Sequence, residues 1–596
     1  MIVKIADNII SPLGFSSTEN YDSVKSGYTA LRKYESNSRH SDCFVASFID
    51  NKVLDSACNE IRLDVKDYTK FEKMILLSSS KAIADSGIDA SSSKVIFILS
   101  TTKGNVSMLS GEYANIPEDR ELLGRTGRLL CDYFGNANPA IVVSNACISG
   151  VCAQITAMRC LNSGDYDYAV VVGADCQSPF IISGFQSFKA LSDELCKPFD
   201  KERNGLNLGE AAGTIIYASR KNVSAGEWIL RDGSIRNDAN HISGPSRTGE
   251  GSYRALLRVM RNEDSCNIAC LNVHGTATAY NDEMESIAIE RSGMIDVPVN
   301  ALKGYYGHTM GAAGIVESIL SMHSIEDKTI LATKGFETLG VSHHVLVSGE
   351  KRHTDKNSFI KLLSGFGGCN AALLFSKNVD STVDSSGIYP NNIGRIKNWI
   401  SITPTKVCLN DIDHKCDKEG KRLITELYRK NIGNYPKFFK MDMLCKLGFV
   451  ASEMLLQAEG NDRFVPCEDR AVILFNKYSS LNADKNYQST IQDTENYYPS
   501  PSFFVYTLPN IVTGEISIRN KYYGETSFNV LENFNAKQIA ENISNAFQDD
   551  ITQSVIGGWV DCKDDEHFEV LMFIADKEGH NLYEDISDIR NKNKII

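Results

Sequence analysis

Four short stretches of the chain gather side chains able to do covalent chemistry. The first is SNACISG, residues 144–150. Cys147 stands there between a strand-like run, 140–143, and a helix-like run, 151–158. The thiolate is the nucleophilic form, so such a cysteine needs a lowered pKa. A helix N-terminus would supply partial positive charge and free N–H groups at that spot. A buried structural thiol reads the same locally, and the chain has 16 cysteines. The second stretch, NVHGTATAYNDEMES (272–286), places His274 after the strand-like CLNV, with Thr276 and Thr278 close behind. A histidine at a strand end faces the crevice where open α/β sheets bind ligands; a core or surface histidine fits the same letters. The third, NALKGYYGHTMGAAGIVESI (300–319), carries Lys303 and His308 on a glycine-rich loop, then GAAG opening a helix that holds Glu317. Small residues allow close backbone approach, to a ligand or to another helix. The fourth, LLSGFGGCNAALLF (362–375), sets Gly365, Gly367 and Gly368 around Phe366. It reads as a β-turn between two strands, or as a loop whose N–H groups form an oxyanion hole or gate.

These stretches need rigid elements to bring them together. Up to about residue 378, strand-like runs such as 94–100 and 168–173 alternate with helical patterns such as 70–86. That alternation predicts an α/β fold with covered sheets. Residues 379–398 turn to Ser, Asp, Asn, Gly and Pro, a linker composition. Residues 399–596 form a further segment whose motifs repeat the first half in order. FFKMDMLCKLGFVASEMLL (438–456) parallels the helix at 68–87, RAVILFNKYSSL (470–481) parallels 94–105, and KYYGETSFNV (521–530) parallels 132–142. On that alignment the place of Cys147 falls at LENFNA (531–536), which has no cysteine.

Composition narrows the function. At 596 residues the chain exceeds one ordinary core. A net charge of −13 with no basic stripe argues against nucleic acid or an anionic membrane as partner. No run reaches the roughly 18–20 apolar residues of a membrane span, and the N-terminus lacks the pattern of a signal peptide. The cysteines are scattered without paired CxxC sets, so zinc is not expected, and free thiols fit a reducing, cytoplasmic setting.

Taken in order, Cys, His, Lys–His and GFGG resemble the elongating β-ketoacyl synthases, condensing enzymes of fatty-acid and polyketide assembly. KPFDKERNGLNLGEAAG (197–213), GFQSFKALS (184–192) and NDANHISGP (237–245) are also similar to segments of that family. The resemblance covers residues 1–378. It implies a thiolase-like fold, layered α-β-α-β-α from two similar halves, with 399–596 as a degenerate partial ketosynthase-like domain. It implies that Cys147 takes an acyl chain from the phosphopantetheine arm of an acyl carrier protein, and that no metal or bound cofactor is required. His274 and His308 would hold a malonyl thioester, Lys303 and Glu317 would form a buried pair beside them, and Phe366 would gate the acyl pocket. Thr276 and Thr278 would contact the arm, and Gly367 and Gly368 would help bind substrate. Homodimers, or pseudo-heterodimers with a related subunit, would be the expected assembly.

Two departures stand out: the family's usual Phe-Gly-Phe-Gly-Gly-Thr-Asn reads here with Ser364 for the first aromatic and Cys369 for threonine. The pocket for the extender unit is therefore expected to be wider or more polar. A non-catalytic chain-length-factor-like subunit shares the fold but lacks the cysteine. Thiolases carry a second cysteine where this chain has His308. A carrier-protein binder without chemistry is the remaining alternative. The 399–596 segment, with no nucleophile, reads as an interaction or scaffolding module. The acyl chain and the pathway are left open by the resemblance.

Overall fold

The computed structural model describes residues 1–35, 43–380, 382–383, 387–493 and 495–593. Its core is one five-stranded arrangement built three times. The first copy uses β1 (Ile2–Ile10), β2 (Val95–Ser100), β3 (Ile141–Val143), β4 (Tyr168–Asp175) and β5 (Ala211–Ser219). Pairing gives the order β3-β2-β4-β5-β1, parallel between β3, β2 and β4 and antiparallel beyond. The second copy uses β6 (Trp228–Asn237), β7 (Ile268–Asn272), β8 (Val299–Asn300), β9 (Ser358–Gly365) and β10 (Cys369–Lys377). Its order, β8-β7-β9-β10-β6, has the same directions.

Helices cover these sheets. On the outer faces lie α1 (Lys70–Ser86), with α2 (Leu123–Tyr133) beside it, and α5 (Glu250–Met260). Between the sheets lie α3 (Ser149–Asn162) and α7 (Ala313–Glu326), each touching strands of both. Two further helices, α4 (Pro179–Ser187) and α6 (Ala279–Arg291), carry residues that matter below. The result is the expected α-β-α-β-α layering. Because β2 is covered on both faces, all of its residues are buried, which is why its sequence is apolar without alternation. The GAAG motif makes the tight helix contact: a Cβ on Gly314 would sit 2.5 Å from Val151 N, and one on Gly150 would sit 2.9 Å from Gly311 O.

The third copy uses β11 (Arg395–Ile402), β12 (Arg470–Asn476), β13 (Thr526–Val530), β14 (Ser554–Cys562) and β15 (Phe568–Asp576). The order β13-β12-β14-β15-β11 and its directions repeat the first copy. β11 begins inside the expected linker; residues 381 and 384–386 of that linker lie outside the described residues. The helices of this unit are α8 (Met443–Glu459), α9 (Leu481–Gln488), α10 (Ile511–Asn520), α11 (Ala536–Ala546) and α12 (Leu582–Asn593). α8 answers to α1. Both have 17 residues, a side-chain N-cap (Thr69, Asp442) and a left-handed glycine at the end (Gly87, Gly460). LENFNA lies between β13 and α11, as SNACISG lies between β3 and α3.

In the first copy the inner face of the sheet is covered by the second copy. The third has no such companion, and α12 takes that place: Leu582, Ile586 and Ile589 pack with Ile539 and Ile543 of α11. The third sheet joins the first edge to edge, since β13 pairs antiparallel with β3 through Asn529–Val143 and Val530–Val142. Buried ion pairs reinforce the seam. Arg159 of α3 meets Glu525 with two bonds of 3.0 and 2.7 Å, and Arg236 of β6 meets Asp549 at 2.9 Å. Among the described residues no helix is long and apolar enough to cross a membrane.

Candidate active site

The turn that carries Cys147 is built by backbone strain and close packing. Ala146 takes φ +50°, a left-handed conformation costly for any residue with a Cβ, immediately before Cys147. The turn is anchored on both sides: Asn145 N–H donates to Ser149 Oγ at 2.8 Å, and Asn145 Nδ2 donates to Thr526 O of β13 at 2.9 Å. α3 then starts at Ser149, so its N-terminus lies just beyond the sulfur. The GFGG turn between β9 and β10 closes over it. A Cβ on Gly365 would come within 3.2 Å of Cys147 N, which is why glycine stands there.

His308 enters from the loop before α7, with its Nε2 3.0 Å from Cys147 Sγ. His274 enters from the end of β7, its ring centroid 5.1 Å from that of His308. The Cys147 sulfur and one ring nitrogen from each histidine all lie within 4.8 Å of one another. Each loop is pinned by a buried carboxylate. Glu285 of α6 accepts the N–H groups of His274 and Gly275, both at 2.7 Å. Asp175, at the end of β4, accepts Gly311 N–H at 2.7 Å and Thr101 Oγ1 at 2.7 Å.

Lys303 bonds Glu317 Oε1 at 2.9 Å and the carbonyl of His274 at 2.6 Å. A second buried lysine shares that carboxylate: Lys361 of β9 reaches Glu317 Oε2 at 2.6 Å and the carbonyls of Asn272 and Val273 at 3.3 and 3.4 Å. Burial beside these cations holds His274 and His308 well below the ordinary imidazole range, so both are neutral. Burial also pushes the Cys147 thiol up to about 12, against the pull of Lys303. Burial thus works against the low thiol pKa expected from the sequence and favours a neutral thiol beside a neutral imidazole.

Cys147 and both histidines line a cavity of about 540 Å³. Thr276 and Thr278 line it too, their hydroxyls 2.9 Å apart, and so does Phe366. Ser364 faces it and donates to Asn370 Oδ1 at 2.7 Å, which makes that wall polar. Lys303 and Glu317 stand behind the histidines. Gly367 and Gly368, with φ +89° and +70°, form the turn behind Phe366 rather than the cavity wall, where Gly367 N–H bonds Ile242 O at 2.7 Å.

Sequence reasoning missed Lys361, Glu285 and Asp175. Lys361 had a signal: it is the one charge in the otherwise apolar FIKLL. Asp175 had a similar one, ending the apolar run YAVVVGA.

A strained turn at Cys147, two neutral imidazoles and a loop closing over the sulfur are features that a thiol-dependent acyltransferase would need. Comparison agrees. The models for the N-terminal and C-terminal domains of β-ketoacyl synthases match residues 5–222 and 229–337. The chain belongs to the β-ketoacyl synthase family, a family of condensing acyltransferases. It is 26% identical over 415 residues to the 3-oxoacyl-[acyl-carrier-protein] synthase 2 of Vibrio harveyi, covering 63% of this chain and 98% of that protein. In fold it is similar to the PfaC keto synthase–chain length factor (TM-score 0.74, 14% identity, 96% of this chain and 78% of that one). It is also similar to the ketosynthase ApeO, solved with its chain length factor ApeC from Xenorhabdus doucetiae (TM-score 0.55, 23% identity, 63% and 98%). The third unit lies beyond both family models, and the likeness to PfaC extends across it.

Proposed function

We propose that this chain catalyses decarboxylative Claisen condensation of an acyl group on Cys147 with a malonyl group, both delivered on the phosphopantetheine arm of an acyl carrier protein. The observation that carries this reading is the 3.0 Å approach of Cys147 Sγ to His308 Nε2, with His274 alongside, in a cavity lined by Thr276 and Thr278.

In the first half-reaction Cys147 attacks the acyl thioester. Its proton passes to His308 Nε2 and on to the departing pantetheine sulfur, so one C–S bond forms and one breaks. The N–H groups of Cys147 and Phe366 hold the tetrahedral oxyanion. In the second, the malonyl carbonyl oxygen lies between the two imidazoles. Loss of carbon dioxide leaves an enolate, stabilised by N–H donors in a desolvated site. Its carbon attacks the Cys147 thioester, a C–C bond replaces the C–S bond, and the sulfur takes one proton from water. Neither Nδ1 has a protein partner among the described residues. The ring of His308 can therefore accept at Nε2 in one tautomer and donate from it in the other.

The 395–593 unit then fills the place a second subunit would take at the β3 edge, and the chain is its own partner there. Intact-mass analysis after incubation with a panel of acyl carriers tests the function: wild type gains the acyl mass and Cys147→Ala does not. His274→Ala should still acylate but release no carbon dioxide from malonyl carrier. No acyl adduct from any carrier would overturn the reading.

A further inference from the structure

Asn510 stands immediately before α10, where an asparagine side chain ordinarily caps the helix. This one makes no cap. Its Nδ2 instead donates to the carbonyl of Phe366 at 2.8 Å, across the boundary between the third unit and the GFGG loop. Asn510 is 1% exposed, and its Oδ1 has no partner among the described residues. A buried amide with half its polar surface unpaired is costly, and here the helix gains nothing from it.

The contact is close by design of the neighbouring residues. A Cβ on Gly514 of α10 would lie 2.5 Å from Gly367 O, so glycine lets the helix reach the loop. The same unit also backs the ring of Phe366. That ring lies 5.5 Å from Phe188 and 6.4 Å from Phe185, and Phe504 of the third unit packs on both at 6.2 and 5.6 Å. Gly184 is opened for Phe504, since a Cβ there would meet its ring at 2.2 Å.

We infer that Asn510 is a positioning residue for Phe366: by holding its carbonyl, it fixes the loop that aims the Phe366 N–H and ring at the Cys147 thioester. The third unit, which has no cysteine at the place corresponding to Cys147, is thereby part of the acyl-transfer site. The inference rests on the reading of Phe366 as oxyanion donor and gate.

Full-length Asn510→Ala and Asn510→Asp test it, the latter keeping the shape but losing the donor. Two rates are compared with wild type: acylation of Cys147 by hexanoyl-pantetheine, and alkylation of Cys147 by iodoacetamide, which needs no oxyanion hole. Misplacement by a fraction of an ångström predicts that acylation falls about tenfold to hundredfold in both variants, in kcat rather than KM, while alkylation stays within about twofold. Wild-type acylation in either variant overturns the inference, because Ala failing while Asp works would make Asn510 a packing residue only. Parallel loss of acylation and alkylation also overturns it, as a general structural defect. A wild-type protein that is never acylated would instead overturn the underlying reading of Phe366.

Discussion

Lys361 Nζ lies 2.6 Å from Glu317 Oε2, on a carboxylate that Lys303 already engages through its other oxygen at 2.9 Å. All three groups are fully buried, and burial draws the Lys361 ammonium down to about 8. The two lysines divide the carbonyls that lead to the His274 ring: Lys361 takes those of Asn272 and Val273, and Lys303 takes that of His274. Lys361→Met should therefore disturb His274 more than Cys147. Carbon dioxide release from malonyl carrier is expected to fall about tenfold to hundredfold, with Cys147 acylation largely kept. Equal loss of both steps would assign Lys361 to folding alone.

The thiol of Cys147, raised to about 12, gives a reactivity profile that separates it from a thiolate–imidazolium pair. Below that pKa the thiolate fraction grows with pH, so the rate of alkylation by iodoacetamide should climb about tenfold per unit between pH 7 and 10. A plateau reached below pH 8 would mean a pre-formed thiolate and would contradict the neutral pair.

Glu285 should leave a mark on stability. Burial and its neighbour Asp282 raise its carboxyl to about 7, against an ordinary value of 4.5. Between those values the folded protein holds a proton that the unfolded chain has released. Stability therefore falls as pH rises from about 4.5 to 7, with a slope of up to about 1.4 kcal/mol per pH unit from this group. Asp282, raised to about 6, adds to the same slope in wild type and variant alike. Glu285→Gln should thus be less steep than wild type across that window in urea titrations at a series of pH values. Identical slopes would mean that Glu285 is ionised throughout.

Local signals made much of this fold legible. The helix at Lys70–Ser86 is bracketed by a Thr–Glu capping box and a glycine, and the chain follows those signals to the residue. The third unit was readable as a repeat because the same order of helix, apolar strand and glycine-strand recurs. Cys147, His274 and His308 could be picked out as candidates only together, by their order along the chain with Lys303 and GFGG, since each stretch alone also fits a structural residue. What the sequence hid is long-range. The letters of β13 do not announce that it pairs with β3. Asn510 looks like an ordinary cap, and its donation to Phe366 depends on how two units meet 144 positions apart. The direction of the Cys147 shift depends on how completely the loops cover it, and no local motif encodes that.

The seam between β3 and β13 gives the last expectation. Arg159 and Glu525 are both buried and joined by two hydrogen bonds, and Arg236 is held by Asp549 in the same boundary. Removing one member of a buried pair leaves the other charged and desolvated, at a cost of about 3–5 kcal/mol. Glu525→Ala should lower unfolding stability by about that amount, because Arg159 on α3 would lose its only carboxylate among those bonded here. Deleting 395–596 does more. It unpairs Arg159 and Arg236 together, bares the hydrogen-bonding edge of β3 and uncovers the GFGG turn. An open strand edge pairs with whatever edge it meets. The truncated chain should therefore aggregate or self-associate through β3, and lose acylation of Cys147, as followed by size-exclusion chromatography and intact mass. A soluble, monomeric 1–394 fragment that acylates at the wild-type rate would mean that the third unit is dispensable to the site.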